Sequence, residues 1–342
     1  MGGRILVRGD GIAASGCIRL LRQAGLSVAV DGPFRPKLPA IMISEATQKL
    51  LQDVFARPDL FEGLSHVRRR VVSWGPGAKP VVLPHSAVVT SEEALLRHIP
   101  QPALSESPGC SETDVAWTVF AARPLPETVE ERNFGSRVAN VAQVKLQPES
   151  PPETCWIESL DDGWLFLLPT GECAWLLSVG GPVESQLARS RVIADEVLEI
   201  VAQGSSFPSH PRIAGSLCSD QWLACGTAAL AFDPLCGEGA GNAAREAILA
   251  SAVIRAAVAG EDVNAVTAHY TSRLMAGFRK HLAVCHDFYS SGGTSPWWEE
   301  QRQATRRGIE WCDSILARGA KPRYRLNGFV LETLGHYSVT KT

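Results

Sequence analysis

The sequence predicts an α/β protein. A mostly parallel sheet domain carries an inserted antiparallel sheet domain and is followed by a helical C-terminal region. Three observations point this way. A strand–glycine turn–helix–strand unit opens the chain at residues 4–32, strand-like segments crowd residues 130–181, and a second glycine-rich turn at 237–241 opens a long alanine-rich helix.

The bulk numbers fit such a protein. At 342 residues, 45% hydrophobic and 20% charged, the chain has room for two or three domains and a sizeable core without disulfide or metal staples. A net charge of −3 gives no general attraction to nucleic acid or acidic lipid, so neither partner is expected. Arg68, Arg69 and Arg70 read as a solvated strand face. The nine cysteines form no Cys-x-x-Cys pair, and Cys17, Cys225 and Cys236 sit among apolar neighbours. This is the usage of a cytoplasmic protein with reduced thiols. His281, Cys285 and His286 lack the rest of a ligand set, so no metal is expected. The N-terminus leads directly into a strand with no signal-peptide pattern, and no apolar run is long enough to span a membrane.

In chain order, RILV at residues 4–7 is a strand, and CIRLLRQAG continues as a helix stopped by Gly25. LSVAVDG at 26–32 is a second buried strand ending in an acid. Residues 43–55 have a polar start and helical apolar spacing. VRRRVVSW and PVVLP alternate as strands, and Ser91 caps a helix whose first turn is acidic. Residues 100–113 read as a loop or hairpin. DVAWTVF is a strand, residues 130–181 form antiparallel strands with a turn at Asp162-Gly163, and residues 183–203 read as helical. The remainder, 262–342, is mostly helical and contains Trp297-Trp298.

Gly9-x-Gly11-x-x-Ala14 follows a strand and opens a helix. Gly9 permits the tight turn, Gly11 lets the backbone approach a pyrophosphate, and Ala13 and Ala14 are small enough for close helix packing. The helix N-terminus favours phosphate charge. Asp31, ending the next strand, can accept hydrogen bonds from an adenosine ribose.

The second stretch, CGTAALAFDPLCGEGAG at 225–241, lies far downstream. Asp233-Pro234 ends an extended segment, and Gly237, Gly239, Ala240 and Gly241 supply backbone N–H groups at a helix start with no large side chain in the way. A flat ring that becomes anionic on reduction fits there. Two well-separated glycine sites favour FAD over NAD, because the isoalloxazine lies far from the adenosine. A Rossmann-like FAD-binding domain is therefore expected over 1–60, 80–125 and 205–262. The substrate sheet domain takes 61–79 and 126–204, and the helical region 263–342.

These two motifs, in this order, resemble those of the FAD-dependent monooxygenases and halogenases of the p-hydroxybenzoate hydroxylase fold. GWLFLLP at 163–169 is similar to a segment of that family's substrate sheet. The resemblance covers roughly residues 4–260. It implies an FAD enzyme that hydroxylates an aromatic ring through a flavin hydroperoxide, with electrons from NAD(P)H or a separate reductase. The family's Gly-Asp is Gly226-Thr227 here, so Thr227 replaces the residue that holds the flavin's ribityl chain. Lys79 lacks the pattern around the halogenase lysine, so halogenation is not expected. The short chain and segments such as CWIESLDDGWLFLLP look similar to flavoprotein maturases of cysteine tryptophylquinone enzymes. That likeness implies a protein substrate, the precursor of a quinone-cofactor oxidase.

Trp156, Trp164, Phe166 and Trp175 are candidates for the substrate surface. Glu45 is the candidate acid–base group, with His85 and Glu158 behind it, and Trp297-Trp298 a candidate docking surface. Rival readings at this point are a small-molecule hydroxylase or halogenase-like enzyme, an NAD-dependent dehydrogenase, and a non-catalytic partner protein that keeps the fold.

Overall fold

Two sheets with a helical layer between and beside them organise the molecule. The computed structural model describes residues 3–32, 35–99, 115–171, 173–219, 221–319 and 322–334. The loop or hairpin expected over 100–113 lies outside these residues. The helices are α1 (Ile12–Gln23), α2 (Glu45–Phe55), α3 (Glu92–His98), α4 (Val183–Leu187), α5 (Gly239–Val258), α6 (Val263–Gly292) and α7 (Pro296–Leu316).

The first sheet has five strands in the spatial order 218–219, 222–224, 115–120, 4–8, 28–31. Its pairings are parallel except for the short 218–219/222–224 hairpin. Strand 4–8 lies between 115–120 and 28–31, and Ile5 and Val7 are fully buried. α1 lies between this sheet and α5. The two helices touch through small side chains: a Cβ on Gly16 would lie 2.8 Å from the Cβ of Ala247.

The second sheet has eight strands, in the order 197–208, 138–146, 174–179, 163–169, 154–160, 65–73, 81–90, 41–44. It is antiparallel apart from the 65–73/154–160 pair. The turn at Asp162-Gly163 falls between its strands as expected. One face carries Trp156, Leu165, Leu167 and Leu176, covered by Val183 and Ile193. The other carries Trp164 and Val179, packed on Cys285, Tyr289 and Trp298 of α6 and α7. A small three-stranded sheet (230–231, 212–214, 131–133) joins the two halves.

Four expectations need correction. Residues 183–203 are not one helix. α4 ends at Leu187, and 197–208 is the edge strand of the large sheet. The backbone N–H groups of Arg191, Val192 and Ile193 donate to the buried Glu158 carboxylate instead of continuing a helix. Glu158 therefore anchors a loop and is no acid–base candidate. The C-terminal region is mostly helical, as expected, through α6 and α7 to Leu316. A hairpin follows, Tyr324–Asn327 and Val330–Thr333, turned at the Asn327-Gly328 dipeptide.

The four aromatics of the large sheet do not share a face. Trp156 belongs to the covered face, while the strand alternation puts Trp164, Phe166 and Trp175 together on the other. The Trp297-Trp298 pair is not a docking surface. Trp298 is fully buried, donates to the Leu160 carbonyl at 3.0 Å, and packs edge-on against Trp74 and Trp297. A Cβ on Gly292 or Gly293 would lie 2.2 Å from its indole. Truncating an aromatic core residue of this kind costs about 3–5 kcal/mol, so the pair's work is to hold the C-terminal helices onto the sheet.

Candidate cofactor-binding site

The two glycine motifs, over 200 residues apart in sequence, meet in space. α1 starts at Ile12 with Gly11 as its N-cap and no side-chain cap, which leaves its first N–H groups open. Gly9 N–H donates to the Asp31 carbonyl at 3.0 Å, closing the strand ends around the turn. The Asp31 side chain is exposed and pairs with Arg8 at 3.3 Å. Ala13 and Ala14 are buried.

Gly226 then packs directly onto this helix. Its φ is +56°, and a Cβ there would lie 2.7 Å from the Ala13 Cβ. Only glycine satisfies both the left-handed backbone and the close approach. The exposed Thr227 follows in the same tight turn, and its carbonyl accepts from Arg212 at 3.2 Å. Beneath the turn, buried Glu246 of α5 accepts the Gly226 N–H at 2.6 Å. Burial pushes the Glu246 carboxyl up to about 8.

α5 begins at Gly239 with no side-chain cap, so the N–H groups of Gly239, Ala240 and Gly241 are free for a ligand. Gly237 is left-handed, with φ +63°. Nothing lies within 4 Å of where a Cβ would stand on Gly237 or Gly239. Gly241 is different: a Cβ there would lie 2.6 Å from Thr47 Oγ1, so α5 starts against the first turn of α2. Thr47 is buried there, whereas Glu45 is exposed at the start of the same helix. It lines an open groove of about 1020 Å³ with Ala46, Gln48 and Lys49. Its surroundings are those of a solvated first-turn acid. His85 lies elsewhere, half-buried beside Arg70, and burial together with that charge holds its pKa below the ordinary value.

The Asp233 carboxylate is wholly buried and committed to protein partners. It pairs with Arg137 at 2.9 Å, and it accepts from the Tyr289 hydroxyl at 2.7 Å and from Leu235 N–H at 3.0 Å. Its own N–H donates to His281 Nε2 at 2.8 Å. Arg137 is in turn held by Gln301 of α7 and lies 4.6 Å over the Tyr289 ring. Asp233 and Pro234 therefore position the loop that leads to Gly237.

The sequence reading missed two basic residues at the first motif. Arg35 pairs bidentately with buried Glu92, and its guanidinium lies 3.0 Å from where a Gly11 Cβ would be. Lys37 pairs with Asp10 of the turn itself. Their signal was present as two cations in a proline-rich loop just after the acid-ended strand.

The arrangement fits a dinucleotide cofactor with a second, ring-binding end. Two helix N-termini present free N–H groups, cations flank the first, and the backbone at the second is bare of side chains. No family model matches the sequence, and no curated protein matches it. Solved structures do. CmlS, a flavin-dependent halogenase, matches with a TM-score of 0.74 over 93% of this chain and 72% of its own, at 16% identity. QhpG, a peptidyl tryptophan dihydroxylase essential for tryptophylquinone cofactor biogenesis, gives 0.73 over 98% of this chain and 86% of its own, at 18% identity. HpxO of Klebsiella pneumoniae, solved with FAD and uric acid, gives 0.64 over 92% and 97%, at 16% identity. The chain has the fold of the FAD-dependent halogenases and monooxygenases. In this chain the Gly9–Ala14 turn and the start of α5 both present uncapped helix N-termini, and Leu235 and Cys236 of the loop between Asp233 and Gly237 pack in the same apolar cluster as Trp164 of the large sheet.

Proposed function

We propose that the chain is an FAD-dependent monooxygenase that hydroxylates an aromatic ring, and that this ring is a tryptophan side chain of a partner protein undergoing quinone-cofactor maturation. The observation that carries the first part is the meeting of the two glycine motifs, with free N–H groups at both helix starts. The near-complete overlap with QhpG supports the second.

In this reading Gly9, Gly11, Ala13 and Ala14 receive the pyrophosphate, with Arg35 beside them, and Asp31 takes the adenosine ribose. Thr227 faces the ribityl chain. Pro234, Gly237, Gly239, Ala240 and Gly241 line the ring, with Asp233 positioning their loop. When bound, the flavin supplies two-electron transfer and oxygen activation. The chain's own residues bind, orient and exclude water. The α5 N-terminus stabilises negative charge at the ring's edge without reorganising. Phe166 and Trp175, half-buried on the same sheet face beside the helix-covered Trp164, offer an apolar, aromatic wall for the substrate ring. Reducing equivalents come from NAD(P)H or a reductase. The domain division that follows is a cofactor half around the five-stranded sheet, a substrate half around the eight-stranded sheet, and C-terminal helices bracing the joint.

The test is an absorption spectrum of the purified protein during FAD titration, then aerobic turnover with an electron donor and a tryptophan-containing peptide. Expected are a flavin band perturbed from free FAD at one cofactor per chain, and a peptide mass gain of one or two oxygen atoms. No perturbed band at excess FAD overturns the cofactor assignment. Oxidation of free aromatic compounds with the peptide untouched transfers the activity to small molecules.

A further inference from the structure

Among the described residues, two cysteine pairs face each other inside the molecule, and they differ in one decisive way. Cys17 and Cys225 stand 3.8 Å apart, sulfur to sulfur, with both residues sealed in the core. Cys236 and Cys285 stand 3.6 Å apart, but Cys236 is only partly buried, on the short turn Pro234–Cys236, while Cys285 is buried on α6. The open pair can be reached from solvent through one member, and the sealed pair cannot.

The surroundings of the open pair are also built. His281, one turn before Cys285, has its Nε2 3.3 Å from the Cys285 sulfur and accepts the Asp233 N–H at 2.8 Å. The same histidine thus fixes both sides of the gap, the loop and the helix. The sulfurs and this nitrogen lie within 4.8 Å of one another. His286 points elsewhere, with its Nδ1 3.2 Å from Thr305 Oγ1. The hydrogen bond with Cys285 outweighs burial and holds the Cys236 thiol below its ordinary pKa. Burial first, then the bond to Cys236, raises Cys285. One sulfur is set as the attacking thiolate and the other as a protected thiol.

We propose that Cys236 and Cys285 are a redox-active dithiol, which hydrogen peroxide converts to an intramolecular disulfide tying the 233–238 loop to α6. Cys236 Sγ attacks one peroxide oxygen and the O–O bond breaks. Cys236 becomes a sulfenic acid and the first water leaves. Cys285 Sγ then attacks the sulfenic sulfur, the S–O bond breaks, and a second water leaves with the thiol proton. Two thiols lose two electrons in all, and one peroxide takes them up. Gly237–Gly241 follow directly, so the disulfide fixes the backbone that enters the α5 N-terminus. The chemistry needs no flavin. On the reading above, a reduced flavin that releases its oxygen as peroxide would supply the oxidant at this loop.

The test uses the full-length protein, reduced, desalted, and exposed to roughly equimolar hydrogen peroxide with and without added FAD. After quenching and unfolding, free thiols are alkylated and mapped by mass spectrometry. Expected is the loss of two of the nine thiols, with a linked peptide pair containing Cys236 and Cys285 that a thiol reductant separates. Cys17 and Cys225 stay free. Cys285→Ser leaves Cys236 as a sulfenic acid trapped by dimedone, and Cys236→Ser leaves Cys285 reduced. Wild-type protein in which Cys236 stays a free thiol at excess peroxide overturns the proposal, as does a Cys17–Cys225 link in its place. Stoichiometric zinc that copurifies and shields both thiols would show a metal site instead and also overturns it. The readout is unaffected by whether FAD binds, so its failure and that of the cofactor assignment are separable.

Discussion

Glu246 makes stability fall with pH in a way that one substitution should abolish. It lies beneath the Gly226 turn, 6% exposed, with the Gly226 N–H donating to it at 2.6 Å. Burial pushes its carboxyl from 4.5 up to about 8, and the hydrogen bond from Gly226 offsets this only in part. Between those values the folded protein keeps a proton that the unfolded chain has released. The folded state therefore loses stability as pH rises through this window, and the loss is complete near the folded pKa. Each pH unit corresponds to about 1.4 kcal/mol, so the full window is worth at most roughly 5 kcal/mol. Glu246→Gln keeps the shape and the carbonyl acceptor but does not ionise. Urea unfolding of both proteins from about pH 5 to about pH 9 measures the difference. The variant should match the wild type at the acid end, gain by up to about 1.4 kcal/mol per unit, and level off above the raised pKa. Other titrating groups cancel in the comparison. A constant offset across the range would refute a neutral, buried carboxyl at this position.

Three other perturbations probe the same cradle. Gly226→Ala puts a Cβ 2.7 Å from Ala13 in left-handed backbone. It should cost about 1–3 kcal/mol, lower the melting temperature, and weaken FAD about tenfold in a fluorescence titration. Arg137→Met strands the buried Asp233 carboxylate and should cost about 3–5 kcal/mol in denaturant unfolding. Adding Asp233→Asn should recover part of that, because the unpaired charge is gone. Replacing Arg35 and Glu92 together by Gln removes the guanidinium beside Gly11 without leaving a lone buried carboxylate. FAD affinity should fall several-fold and lose salt dependence in titrations at two ionic strengths, while the melting temperature moves little.

The legible part of the molecule was the part governed by local rules. The Gly9–Ala14 turn, the Ser91 cap, and the Asp162-Gly163 turn each need particular residues at fixed offsets, so the sequence displays them. Residues 197–208 failed because Val197, Ile200 and Val201 have helical spacing, and only pairing with distant 138–146 makes them a strand. The C-terminal hairpin was readable from Asn327-Gly328 but was masked by the long helices before it. Trp156 and Trp164 are both large, apolar and nearly adjacent, and which face each takes depends on a register that one strand cannot reveal alone. Arg137 and Tyr289 could not be seen as partners of Asp233, nor Gln301 as the residue that holds Arg137. They come from three separate elements, and nothing local marks a residue whose counter-charge arrives from far along the chain.

That last network explains why the chain needs its C-terminal helices at all. The first glycine turn is packed from several sides: Ala122 follows strand 115–120, Glu92 starts α3, Arg35 and Lys37 come from the loop after strand 28–31, and Gly226 lies on Ala13. The second turn is more open: among the described residues, nothing lies within 4 Å of where a Cβ would stand on Gly237 or Gly239. Its position is set instead from behind, by Asp233. Arg137 reaches that carboxylate from the start of a substrate-sheet strand, Tyr289 reaches it from α6, and Gln301 of α7 holds Arg137 in place. A charge pair with no exposure is costly to bury unless every partner is present. The loop therefore takes its ligand-ready shape only when the sheet and both helices are docked. The aromatic joint around Trp298 fastens that docking. The loop that enters α5 and the sheet face packed on Trp298 are in this way fixed by the same contacts, and a change that loosens one loosens the other.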